Sequence, residues 1–261
     1  MREEGAATLT AGQAAAAASG RKGMMPLEGR DGRSRPFLDY VLSALADAGY
    51  GEVALVVAPE GESPDPMRAY YGGAGHPERL RLTFVVQPEP LGTANALLAA
   101  ADWIAGRPFV VLNADNLYDR RDLRALREAS GPALPVYTRD GLVEESGIPA
   151  DRVGAFALLE VQDGRLLDIV EKPGADAVAQ AGGQALVSMN CWRGDEAILS
   201  ACRDVPRSAR GEFELPGAIR LALTRGVPIV AIPAVGPVLD LSRRIDVADV
   251  ARRIAAYEAA P

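Results

Sequence analysis

Two rhythms of apolar and polar positions divide this chain. In the first half, short β-branched runs alternate with helical patterns. Residues 52–58 (EVALVVA) and 81–87 (RLTFVVQ) are almost continuously apolar, as strands covered on both faces are. Residues 108–115 (PFVVLNAD) form a further strand whose polar positions fall only at its carboxyl end. Residues 6–10 (AATLT) read as a first strand and 133–139 (ALPVYTR) as another. Between them, residues 35–50 place Phe37, Tyr40, Val41, Ala44, Leu45 and Ala48 on one helical face, with Gly49 near the end. Residues 93–106 and 120–130 read as helices too. Strand–helix–strand repetition at this spacing predicts right-handed crossovers and an α/β fold with a mostly parallel sheet flanked by helices. Ligands of such sheets sit at the carboxyl ends of the strands. Gln87 and Asp115 lie at two of those ends, with Gly12 beside them.

The second half changes pattern. Residues 154–173 predict two antiparallel strands joined by a turn at Gln162, Asp163 and Gly164. Residues 185–192 form another strand, and the segments VPIVAIPA and VGPVLDL two short ones. Helical patterns cover 194–205, 211–226 and 246–260, with Pro216 limiting where the second begins. No linker and no internal repeat interrupts the chain, and its one low-complexity segment is AAAAAS at 14–19. One domain over residues 1–261 is expected.

Composition narrows the chemistry. The net charge of −7 argues against a nucleic-acid surface, which selects basic patches. His76, the only histidine, falls in a loop rich in Gly and Pro, which argues against a Ser-His-Asp or Cys-His hydrolase and a His-rich metal site. The two cysteines, Cys191 and Cys202, fit neither a zinc site nor a disulfide framework. No apolar run approaches a membrane span, and Met1 to Gly5 lack a signal-peptide apolar region, so a cytoplasmic location is expected.

Eight segments then arrive in a fixed order: LTAG (9–12), RKGMMPL (21–27), VVQPEPLGTANAL (85–97), VLNADNLYD (111–119), IVEKP (169–173), SMNCW (188–192), GEFELPGAI (211–219) and VLDLSRRIDV (238–247). The series resembles the sugar-1-phosphate nucleotidyltransferase family, which includes glucose-1-phosphate thymidylyltransferases and uridylyltransferases. The resemblance covers nearly the whole chain. It implies a Rossmann-like fold, with a nucleotide-binding half over about residues 1–140 and a sugar-binding half over about 141–261. The implied reaction makes an NDP-sugar and pyrophosphate from a nucleoside triphosphate and a sugar 1-phosphate. A sugar phosphate oxygen is ionised at neutral pH, so such a transfer needs positioning and charge neutralisation more than a strong base.

The resemblance also assigns residues. Asp115 and Asp240 would hold Mg²⁺, which prefers carboxylate and phosphate oxygens. Lys22 would clamp the triphosphate, and Lys172 the sugar phosphate as a point charge. Ala11, Gly12, Gln87, Gly92 and Thr93 would contact the nucleotide, with Gln87 reading the base edge and Gly92 allowing close backbone approach. Glu171 and Asn190 would face the sugar. Glu212 and Glu214 stand where the family has an acidic pair, and suit a helix N-terminus equally well. Some relatives form homodimers, although no residue pattern here marks an interface.

Two departures stand out. Ser242 and Arg243 follow Asp240, where the family has a Gly-Thr pair. Gln13 and the run Ala14 to Ala18 replace the family's glycine-rich turn and its phosphate-clamping arginine, expected near Ala15 or Ala16. Arg21 could substitute, or the loop could order only around the nucleotide. Two other readings therefore stand beside the main one: a catalytically weakened nucleotide-sugar binding or regulatory protein, and a cytidylyltransferase acting on a non-sugar phosphate.

Overall fold

The computed structural model describes residues 10–18, 22–61, 65–73, 75–171 and 173–261. Helix α1 (Ala11–Ala18) leads through a short 3₁₀ turn (Lys22–Met24) to strands β1 (Pro26–Glu28) and β2 (Ser34–Pro36). Then come α2 (Phe37–Asp47), β3 (Glu52–Val57), α3 (Pro66–Tyr71), β4 (Arg81–Val86), α4 (Thr93–Ala99) and α5 (Ala101–Ile104). Strands β5 (Phe109–Val111) and β6 (Asn116–Leu117) precede α6 (Arg120–Glu128), β7 (Ala133–Thr138) and α7 (Arg139–Glu144). A 3₁₀ turn (Ala150–Ala155) opens the second half, followed by β8 (Ala157–Gln162), β9 (Arg165–Val170), α8 (Ala175–Ala181), β10 (Leu186–Ser188) and β11 (Trp192–Gly194). Helices α9 (Glu196–Asp204) and α10 (Leu215–Thr224), strands β12 (Val230–Pro233) and β13 (Leu239–Asp240), and helix α11 (Val247–Ile254) complete it.

The predicted helix after Pro36 forms because its apolar stripe is dense. Phe37, Leu38, Tyr40, Val41, Leu42 and Leu45 of α2 are all buried. Gly49 stops the helix at φ 91°, a left-handed geometry that glycine adopts without a Cβ clash. Asp119 caps α6 by accepting from the Arg121 N–H at 2.8 Å, and Asp195 caps α9 the same way from Ala197 at 2.9 Å. One apolar core gathers around α2; a second lies among α4, α9 and α10 and includes the fully buried Trp192. No helix among the described residues is long and apolar enough to cross a membrane.

The sheet corrects one expectation. Only β3–β4 and β7–β12 pair parallel among the described residues. The other pairings of the seven-stranded sheet, ordered β10-β8-β9-β12-β7-β11-β5, are antiparallel, and a further β10–β7 pairing closes five of its strands into a ring. The second half returns by hairpins and reversals rather than helical crossovers, so the sheet is mixed, not mostly parallel. The hairpin β8–β9 turns at Asp163 and Gly164, both with positive φ, as the turn chemistry requires. Of the strand read at 6–10, all but Thr10 lies outside the described residues. β3 pairs only with β4, and β5 only with β11, so each keeps one strand edge without a described partner.

A buried carboxylate on α2 yields a pH prediction. Asp39 accepts the Tyr71 hydroxyl at 2.7 Å and the Tyr70 hydroxyl at 3.0 Å. Burial pushes its pKa above the ordinary 3.8, against the pull of those two hydroxyls. The folded state thus binds this proton more tightly than the unfolded chain, and ionising Asp39 costs stability. The stability of wild type relative to Asp39→Asn should therefore fall as pH rises from about 3.8 through the raised pKa, then level off. Urea unfolding of both proteins across that range checks it, and a difference that does not change with pH would refute it.

Candidate active site

A cavity of about 840 Å³ opens between β3 and the run from Phe109 to Asp115, a volume typical of small-molecule sites. Its depth is apolar, floored by Leu38, Val41 and Leu42 of α2. Its polar lining includes Lys22, Asp115, Glu171, Asn190 and Glu212. Thus four side chains predicted to be functional, Lys22, Asp115, Glu171 and Asn190, from segments far apart in sequence, border one space together with Glu212.

The two aspartates come together through backbone pairing. β6 runs antiparallel to β13 with Asn116 opposite Asp240. The Leu241 N–H donates to the Asp115 carbonyl at 2.9 Å. Burial and the neighbouring Asp240 carboxylate both push the Asp115 pKa above its ordinary value, while Lys22 and Arg152 pull it back. Lys22 stands 3.9 Å from the Asp115 carboxylate and also donates to the Ser242 carbonyl. Its neighbour Gly23 allows this approach: a Cβ there would meet the Ala114 carbonyl oxygen at 3.2 Å.

The aspartates differ in access. The Asp115 side chain is 28% exposed and lines the cavity. That of Asp240 is only 1% exposed. Its Oδ2 accepts from Arg152, and its Oδ1 from the Asn116 amide at 3.2 Å and from the Ser242 hydroxyl. Nothing in the sequence marks Arg152. An arginine in a PADRVGA turn has no distinguishing pattern; only its burial between two carboxylates marks it.

The segment expected to contact the nucleotide is built tightly. Gly92 caps α4 at φ 113°, and a Cβ there would lie 2.4 Å from the Phe213 carbonyl oxygen. The Gln87 amide donates to the Gly92 carbonyl at 3.1 Å and to Asn95 Oδ1 at 2.8 Å. Thr93 borders the cavity, and its hydroxyl accepts from the Leu215 N–H at 2.8 Å. Asn190, predicted within a continuous strand, instead breaks it between β10 and β11 at φ 61°. Asparagine is among the residues that adopt left-handed backbone most readily, and here it stands at the cavity wall.

Elsewhere the arrangement differs from expectation. Ala11 and Gly12 open a helix rather than a phosphate loop, and Gly12 faces Pro26, whose Cγ would lie 3.3 Å from an added Cβ. The alanine run explains this, because alanine has the highest helix propensity. Glu214 precedes α10 and pairs with Arg210, while Arg210 and Glu212 are also within ion-pair reach at 3.9 Å. Lys172 and Arg21 lie outside the described residues.

A family model for nucleotidyl transferases matches residues 22–237. A glucose-1-phosphate thymidylyltransferase from Actinoplanes sp. is 30% identical over 209 residues, covering 78% of this chain and 62% of the relative. One from Streptomyces antibioticus is 29% identical over 226 residues, covering 85% of this chain and 58% of the relative. The chain therefore spans about 60% of the length of these relatives. Among solved structures, UDP-glucose pyrophosphorylase complexed with UDP-glucose superposes with a TM-score of 0.67 at 16% identity, covering 89% of each chain. UDP-glucose pyrophosphorylase from Acinetobacter baumannii gives a TM-score of 0.68 at 18% identity, covering 89% of this chain and 85% of the other. These likenesses speak for the fold, and the sequence match for descent. The chain belongs to the nucleotidyl transferase family.

Proposed function

We propose that this protein joins a nucleoside triphosphate to a sugar 1-phosphate, releasing pyrophosphate. The observation that carries the reading is that Asp115 and Lys22 line one cavity, with the buried Asp240 next to Asp115 across the β6–β13 pair. The relatives' names direct attention to glucose 1-phosphate with thymidine or uridine triphosphate.

The donor set fits Mg²⁺. Asp115 offers a partly exposed carboxylate whose negative charge is under-compensated, since burial and Asp240 outweigh Lys22 and Arg152. Among the described residues no group of three or more His, Cys, Asp or Glu comes together, so a cation here would take its other ligands from phosphate and water, as Mg²⁺ commonly does. Asp115 and Asp240 would hold it, and when bound it would neutralise the crowded phosphates. Lys22 would bind triphosphate oxygens from the other side. Gln87, Gly92 and Thr93 would seat the nucleoside, Ala11 and Gly12 would border it, and Asn190 with Glu171 would orient the sugar hydroxyls. Lys172 would bind the sugar phosphate, aligning its oxygen with the α-phosphorus as pyrophosphate departs.

A second reading, binding without efficient turnover, is favoured by one feature: residues 11–20 carry no cation where relatives place an arginine. Pyrophosphate release across a panel of triphosphates and sugar phosphates, with Mg²⁺ and with chelator, separates the two. Chelator-sensitive release dependent on the sugar phosphate is expected. Nucleotide binding with no release would favour the second reading, and release with a non-sugar phosphate alone would favour a cytidylyltransferase-like role.

A further inference from the structure

Arg152 is held as few surface arginines are. Its side chain is 8% exposed, and its guanidinium lies 5.6 Å from the centre of the Phe156 ring. One terminal nitrogen donates to Asp246 Oδ2 at 2.7 Å and the other to Asp240 Oδ2. With Asn116 and Ser242 on Oδ1, both oxygens of Asp240 have donors. Asp115, a neighbour across the strand pair, has the cavity open before it.

We propose that Arg152 is a resident counter-ion of Asp240, one that a divalent cation must displace to gain that carboxylate, and that it thereby sets how tightly the site takes its metal. The inference rests on the placement of a cation at Asp115 and Asp240 proposed above. A carboxylate oxygen saturated by a guanidinium has little left for a cation that demands close, regular oxygen contacts. The two positive charges also repel across a poorly solvated gap. Displacement is feasible because Asp246 remains behind as a partner, so the guanidinium is never stranded as a lone buried charge. Asp246 is itself fixed, accepting the Arg243 N–H at 2.7 Å. Arg152 is thus a positioning residue acting through Asp240.

The test titrates the full chain with Mn²⁺ alone and reads free Mn²⁺ by electron paramagnetic resonance. Arg152→Met, which keeps the stem and removes the charge, should bind Mn²⁺ at least about tenfold more tightly than wild type. Asp246→Asn leaves Arg152 to Asp240 alone and should weaken binding several-fold. A merely structural role predicts the opposite sign for Arg152→Met, since a disturbed site binds less. A folded Arg152→Met with wild-type or weaker affinity overturns the proposal. If that variant does not fold, Asp246→Asn decides: weaker binding supports the proposal and unchanged binding overturns it. Asp115→Asn separates the two levels. Loss of Mn²⁺ there, with the Arg152 and Asp246 variants unchanged, refutes this inference alone; retention of Mn²⁺ there removes the cation site itself.

Discussion

Replacing Asp115 by asparagine should cut Mg²⁺-dependent pyrophosphate release by at least about 10²–10³-fold, the scale of losing one essential electrostatic contact in a transition state. The substitution keeps the shape of the side chain and removes the charge. Stability should hardly suffer. Burial already disfavours the ionised form of Asp115, and its ion pair to Lys22, at 3.9 Å, is partly solvated and weak. The expected result is a variant with a wild-type melting curve and almost no turnover. Turnover at the wild-type rate would remove Asp115 from the chemistry, and a collapsed melting curve would make its role one of folding.

Gly92→Ala should have the largest effect on the fold around the nucleotide element. Its φ of 113° lies in a region that alanine adopts only with strain, and its added methyl would meet three backbone atoms of Phe213 at 2.4–2.9 Å. Backbone cannot rotate aside as a side chain can. Two hydrogen bonds tie the same segments together, Phe213 N–H to the Leu91 carbonyl at 2.7 Å and Ala94 N–H to the Phe213 carbonyl at 2.9 Å. Relief of the clash must break at least one of them. A loss of at least about 2 kcal/mol is expected from overpacking and backbone strain together. Because Gln87 hangs on the Gly92 carbonyl, nucleotide affinity should fall as well. Chemical unfolding with a parallel nucleotide titration measures both. A variant as stable as wild type would show that the close approach at Phe213 carries no weight.

Much of this architecture could be read from residue pattern because it is local. The stripe of Phe37, Tyr40, Val41 and Leu45 predicts α2, and Asp163 with Gly164 predicts the β8–β9 turn, since each signal lies within a few residues of its effect. Strand order is different. Whether β7 is flanked by a parallel or an antiparallel neighbour depends on partners roughly 50 to 100 residues away, and an apolar strand looks the same in either sheet. Hence the expected mostly parallel sheet is mixed. The same division runs through the site. Asp115 and Asp240 stand out in their segments by residue type, and the fold makes their strands neighbours. Arg152 carries no such signal, because its importance arises only when the turn at 150–155 is laid against β13. Nor could periodicity show that Asn190 interrupts its strand, because an asparagine can sit in extended or left-handed backbone.

The central claim is that Asp115 and Asp240 share a divalent cation with nucleotide phosphates. A crystal structure of the protein with Mn²⁺ and a non-hydrolysable thymidine triphosphate tests it most directly, because the anomalous signal locates the metal without reference to any assumed site. The account predicts a peak within about 2–2.6 Å of carboxylate oxygens from both aspartates and of a phosphate oxygen, with the Arg152 guanidinium drawn back toward Asp246. A peak bound to phosphates but remote from Asp115, with Arg152 still seated on Asp240, would contradict it.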